Sequence, residues 1–159
     1  IFKAFGELRN AKQVVQRIEA ARVTKKIKTV EALKDLLSDM VPEKHQHKFL
    51  AQVFQALRIE VNEELKVIQA LLEQTVEVLK VGGRMAVITY HSLEDRMVKN
   101  FFKTGNIDGK VEKDFYGNLI RPMKPVNRKP IVPTQIEIQE NNRARSAKLR
   151  IAEKVLIEN

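Results

Sequence analysis

"RMAVITYHSLEDRMVKNFF", residues 84 to 102, changes its periodicity halfway, and that change decides the fold. Arg84 to Tyr90 has the length and branched side chains of a buried strand, whereas from Ser92 onward the apolar residues recur at helical spacing. Upstream, Gly82-Gly83 ends a long apolar pattern of Phe49, Val53, Phe54, Leu57, Val61, Leu65, Ile68, Leu72, Val76 and Leu79, which a break near Arg58 to Asn62 divides into two helices. The order helix, tight turn, strand, helix implies an α/β chain whose parallel sheet carries helices on its faces.

Toward the N-terminus, Phe2, Phe5, Ala11, Val14, Val15 and Ile18 predict a first helix running to about Arg22, followed by the basic connector "RVTKKIKTV". Thr29 is placed to cap a second, short helix with Val30, Leu33, Leu36, Leu37 and Met40 on its apolar face, and Val41-Pro42 stops it. Toward the C-terminus, residues 104 to 134 hold four of the five prolines and three of the six glycines, so they read as loop with one hairpin at Tyr116-Gly117-Asn118. "AKLRIAEKVL", residues 147 to 156, reads as a last strand. No internal repeat or low-complexity tract is present.

Composition sets the outer limits. A chain of 159 residues, 43% hydrophobic and 31% charged, buries one real core and an appendage rather than two large cores. A formal net charge of +9, from 29 Lys and Arg against 20 Asp and Glu, favours a polyanionic partner, with nucleic acid the commoner case and an anionic membrane surface the rarer one. The lack of cysteine removes disulfides and thiolate zinc sites and fits a cytoplasmic location. No apolar run reaches bilayer length, and the N-terminus lacks a signal-peptide layout. A chain that begins with Ile1, already inside an apolar period, is expected to be part of a longer protein.

The polar run at the strand-to-helix junction has two readings. Ser92 with Asp95 three positions on is a capping-box pattern, which accounts for Ser92, Glu94 and Asp95. It leaves His91 and Arg96 without a role, and His91 stands at the carboxyl end of a strand, where open α/β sheets place their ligands. Elsewhere, "RARSAKLR" sets Arg143, Arg145, Lys148 and Arg150 within residues 143 to 150, and Arg121, Lys124, Arg128 and Lys129 precede them. With eight basic side chains against Glu137 and Glu140 over residues 121 to 150, a phosphate-binding surface is favoured over a merely solvated face. Arg58 and Asn62, four apart, share a helical face. His45 and His47, two apart on a helix, point to different sides and do not make a metal site. Phe101 and Phe102 read as core.

Three segments in order, "FQALRIEVNEEL" (54 to 65), "LKVGGRMAVITYHSLEDRMVKNFF" (79 to 102) and "ENNRARSAKLRIAEK" (140 to 154), resemble the bacterial 16S ribosomal RNA cytosine-N4 methyltransferases. "FGELRNAKQVVQRIEAAR" (5 to 22) resembles the start of that family's helical insertion, so the likeness covers nearly the whole chain from Phe5. Asn142 departs from the proline usual before the arginine pair. The resemblance implies a mostly helical insertion domain, in part, over residues 1 to 50, and the C-terminal portion of a Rossmann-like methyltransferase sheet over residues 51 to 159. Family members bind S-adenosylmethionine through a glycine-rich loop after the first strand. Here Gly6, Gly82, Gly83, Gly105, Gly109 and Gly117 make no such loop, so no cofactor-binding or metal residue is assigned in this fragment, which is expected to be inactive alone.

The implied chemistry moves a methyl to the exocyclic N4 amine of a cytidine in small-subunit ribosomal RNA. That amine is a poor nucleophile because its lone pair is delocalised into the ring, so positioning and hydrogen-bond acceptors matter. The resemblance points to His91 and Ser92 as catalytic candidates. Arg58 and Asn62 are candidates to fix the cytidine, the base being out of its stack, while Arg96 and, from the charge of their segment, Arg143, Arg145 and Lys148 are candidates for RNA contact. Two other readings remain open: a basic α/β RNA-binding module without chemistry, and another doubly wound nucleotide enzyme, since "LKVGGR" before a strand is common.

Overall fold

A computed structural model describes residues 1 to 156. The chain divides into two compact units, Ile1–Glu64 and the remainder from Leu65. The first therefore extends past Leu50, where the sequence reading divides the chain, because α3 (Glu43–Val61) is one unbroken helix whose inner face, Phe49 and Val53, belongs to the front core.

In the first unit, α1 (Ala11–Thr24), α2 (Val30–Leu37), a 3-10 turn (Ser38–Met40) and α3 enclose Leu8, Ala11, Val14, Leu37, Phe49 and Val53. Thr29 caps α2 as expected, its hydroxyl oxygen accepting from the Ala32 amide at 3.1 Å. Arg17 on α1 donates to both oxygens of Asp39 at 2.6 and 2.7 Å and to the Leu36 carbonyl at 3.1 Å. The first helix starts at Ala11, later than the apolar pattern from Phe2 predicts. Gly6 runs so close to α3 that a Cβ there would lie 2.9 Å from the Gln52 carbonyl, and Glu7 has φ 52, which no helix accommodates.

In the second unit the elements are α4 (Glu64–Val78, counted from Leu65), β1 (Arg84–Thr89), α5 (Ser92–Thr104), β2 (Met123–Pro125), α6 (Gln135–Glu140), a second 3-10 turn (Asn142–Ser146) and β3 (Lys148–Lys154). The left-handed φ of 51 at Glu63 makes the expected break between α3 and α4. Gly82, at φ +80, turns the chain from α4 into β1, and its amide donates to the Lys154 carbonyl at 2.9 Å. Lys154 in turn closes the end of α4, its ammonium donating to the carbonyls of Val76 and Leu79 at 2.5 and 2.7 Å.

The sheet order is β1-β3-β2, and both hydrogen-bonded pairs are antiparallel, with Val87 opposite Arg150 and Thr89 opposite Lys148. This corrects the expectation of a parallel sheet. Since β1 and β2 both oppose β3, they run in the same sense with α5 joining them, so the strand–helix–strand inference holds for that pair and fails for the strand between them. Strand sense depends on the end of the sheet to which residues 126 to 147 deliver the chain, which local periodicity does not contain.

β1 is also only half-buried. Met85, Val87 and Thr89 turn inward while Arg84, Ala86 and Ile88 are exposed. The core of this unit is Leu72, Val98, Phe101, Phe102, Met123 and Ala152, so Phe101 and Phe102 are packing residues as read. The Tyr116-Gly117-Asn118 hairpin forms, with Lys113 bridged to Leu119. No helix among the described residues is long and apolar enough to cross a membrane.

Candidate functional site at the junction of strand β1 and helix α5

Helix α5 starts one residue earlier than its capping pattern suggests. His91, with extended φ −133 and ψ 165, is the N-cap, and its Nδ1 accepts from the Glu94 amide at a long 3.5 Å. Glu94 completes the box, its Oε2 accepting from the backbone amides of Tyr90 at 2.9 Å and His91 at 3.3 Å. The Ser92–Asp95 pairing is thus corrected to His91–Glu94, with Ser92 the exposed first residue of the helix. Both pairs have the same spacing, and a tertiary contact decides between them: Asp95 is taken by β3.

Asp95, 8% exposed, accepts from Arg150 Nε at 2.7 Å and Nη2 at 3.1 Å, and Lys148 Nζ lies 3.3 Å away. Burial opposes ionisation of this carboxyl, but hydrogen bonds and charge from Arg150, then Lys148, outweigh it and hold Asp95 below the ordinary carboxylate range. Burial likewise opposes the ionised form of Glu94, while the His91 imidazole and the two amides prevail and lower it. The His91 side chain is 12% exposed, with Nε2 3.2 Å from Glu94 Oε1. Nδ1 thus faces the Glu94 amide, and Nε2 stands on the side of the Glu94 carboxylate. The result is a histidine oriented by a carboxylate at the mouth of a strand, with a weakly committed lone pair on Nδ1.

The other expected site residues fall into separate groups. Within the first unit, Arg58 and Asn62 converge on one carboxylate: Arg58 donates to Glu64 at 2.7 and 3.0 Å and Asn62 at 3.3 Å. Arg96 is exposed on α5. Arg143 and Arg145 are exposed on the second 3-10 turn, which starts at Asn142 and whose first amide is capped by Asn141 Oδ1 at 3.1 Å. Lys148 and Arg150, read as part of the same basic run, divide their charge differently. Arg150 is 12% exposed and spent on Asp95, while Lys148 keeps 41% exposure.

The residues that sequence reasoning left without a specific role are Glu64, Glu94 as the partner of His91, and Asp95 as the anchor of β3. Only the His91–Glu94 spacing carried a local signal. No glycine follows β1, since Tyr90 and His91 connect it directly to α5 and the capping box occupies the turn.

The family model described as the MraW methylase family matches residues 1–155. "Ribosomal RNA small subunit methyltransferase H" of Parabacteroides distasonis is 52% identical over 155 residues, 98% of this chain and 51% of that protein. The proteins of the same name from Flavobacterium johnsoniae and Cytophaga hutchinsonii are each 53% identical, over 98% and 97% of this chain and 51% of their own length. The chain spans about half the length of the curated relatives it matches.

Proposed function

The chain belongs to the MraW methylase family, and from that premise we propose that it is part of an S-adenosylmethionine-dependent methyltransferase acting on the exocyclic N4 amine of a cytidine in small-subunit ribosomal RNA. The observation that carries this reading is the match to proteins named as small-subunit ribosomal RNA methyltransferases at 52% identity over 98% of the chain. On this reading the first unit is part of the helical insertion. The second supplies the closing strands of a Rossmann-like methyltransferase sheet, which the same-sense pair β1 and β2 with β3 inserted between them supports. Its partner is the small ribosomal subunit, its location the cytoplasm.

The junction supplies one function that this chain's own residues can perform. His91 accepts the proton leaving the amine at Nδ1, in place of the long 3.5 Å bond from the Glu94 amide. The imidazolium so formed keeps its Nε2–H against Glu94 Oε1 at 3.2 Å, so the carboxylate both orients the ring and stabilises its charge. Ser92, exposed beside it, contacts the cytidine, while Arg58, Asn62, Arg96, Arg143, Arg145 and Lys148 hold the RNA.

Two measurements test the reading. Mass spectrometry of ribosomal RNA treated with the complete enzyme is expected to show methyl on a cytidine N4, and transfer to any other atom would overturn it. Calorimetry on the 159-residue chain alone is expected to show no micromolar binding of S-adenosylmethionine. Tight binding there would mean that a cradle exists where none is assigned.

A further inference from the structure

A second cationic feature lies apart from the β1–α5 junction, on the far half of α5. Lys99, Lys103, Arg121, Lys124, Arg128 and Arg150 line a cleft of about 530 Å³ in which no carboxylate takes part. Arg150 is neutralised by Asp95, and Arg121 donates to the Lys103 carbonyl at 3.0 Å, steadying the end of α5. Among the described residues Lys99, Lys103, Lys124 and Arg128 have no ion-pair partner. Cations brought together without counter-charge repel one another, and an anion entering the cleft relieves that repulsion as well as making its own contacts. The aromatic ring in the wall, Phe102, is 2% exposed and belongs to the core, so the cleft offers charge but no stacking surface.

The stacking surface lies next door. Arg121 and Lys124 also line a smaller hollow of about 290 Å³, which continues to Asp114 and Leu119 at the base of the 113–119 hairpin. At its tip Phe115 and Tyr116 are 98% and 86% exposed, ring centroids 5.6 Å apart and nearly perpendicular. Their position is held, since Asp114 Oδ1 accepts from the amides of Tyr116 at 2.9 Å and Asn118 at 2.8 Å. Gly117, at φ +88, closes the turn. Two large rings held in water by a hydrogen-bonded turn, beside unpaired cations, are the two halves of a single-strand nucleic-acid site, in which bases stack and phosphates follow the charge.

We propose that the 113–119 hairpin and the cleft beside α5 together bind single-stranded RNA, with bases stacked on Phe115 and Tyr116 and the backbone running past Arg121 and Lys124 into the cleft. The proposal rests on the ribosomal RNA reading above and adds where a stretch of unpaired RNA lies. A duplex does not satisfy it, because paired bases keep their faces inside the stack. A bilayer offers no base faces to stack on the rings, and the carboxylates of Glu112 and Asp114 beside the tip oppose an anionic surface.

The chain has two tyrosines and no tryptophan, so in a Tyr90→Phe background Tyr116 is the only tyrosine reporter. A mixed-sequence single-stranded RNA is expected to quench its fluorescence, whereas inorganic polyphosphate is not. Phe115→Ala with Tyr116→Ala, which removes two stacking rings, is expected to weaken single-strand binding about thirtyfold or more without altering its salt dependence. Lys99→Ala with Lys124→Ala and Arg128→Ala is expected to lower the slope of log affinity against log salt by about 2, at roughly 0.7 per phosphate. All five positions are exposed, and circular dichroism checks that the variants fold. Wild-type binding that neither variant set changes would overturn this site while leaving the ribosomal RNA reading intact. No RNA binding by the complete enzyme would overturn both. Loss of anionic-vesicle binding in the aromatic variant, with RNA affinity unchanged, would make the hairpin a membrane contact instead.

Discussion

Asp95→Ala is expected to destabilise the second unit by about 3 kcal/mol and to lower its melting temperature by about 15 °C. The loss is large because the variant leaves the guanidinium of Arg150, 12% exposed, beside an empty position that no water-exposed carboxylate can fill. Lys148, at 41% exposure, can turn to water and adds little. The diagnostic companion is Arg150→Met in the same background. Removing the orphaned cation is expected to recover most of the loss, whereas a simple packing defect at residue 95 would not be repaired from β3. A loss below about 0.5 kcal/mol for Asp95→Ala, the level of an ordinary surface substitution, would show that the ion pair is not what joins α5 to β3.

The same carboxylate sets a pH dependence. Its folded-state value is depressed, so its contribution is fully present above the unfolded value and is lost as pH falls through the folded one. Wild-type stability is therefore expected to fall below about pH 4, and Asp95→Ala to lose less over that range. Acid melting of the two proteins side by side measures the difference.

His91→Asn separates the cap from the chemistry. Asparagine is among the best N-cap residues, so the variant is expected to melt at or above the wild-type temperature. It cannot take the proton, so turnover of the complete enzyme is expected to fall by roughly a hundredfold. His91→Ala is expected to lose the same turnover and also up to about 1 kcal/mol, modest because the cap bond is 3.5 Å long. A variant that turns over within about threefold of wild type would make the histidine a helix cap only. A loss seen in KM and not in kcat would make it a contact to the RNA.

The residues that read correctly from sequence are those whose signal is local. Thr29 before an apolar period, the interruption at Arg58 to Asn62, and the switch from branched residues to helical spacing after Tyr90 each act within a few positions, and each appears where it was expected. At the β1–α5 junction two local patterns are equivalent. His91–Glu94 and Ser92–Asp95 are both separated by three residues, so spacing does not choose between them. The choice was made by Arg150, fifty-five residues away, which claimed Asp95. The basic run 143–150 looked uniform for the same reason: its members differ only in whether β3 carries them to a buried carboxylate.

What the amino-acid order determined alone is thus α1 to α5 with β1 and β3, the cationic character, and the three segments by which the family is recognised, whereas β2, inside the stretch read as loop, and the short α6 after it carry no such signal. What tertiary structure decided is the sense of β3, which arginine is spent and which is available, which carboxylate lies beside His91, and that Lys99 and Lys103 on a helix meet Lys124 on β2 and Arg128 just beyond it beside an aromatic turn. Periodicity and capping are short-range consequences of backbone geometry. The fate of a charge depends on which distant group arrives within about 3 Å of it, and only the packed chain brings the two together.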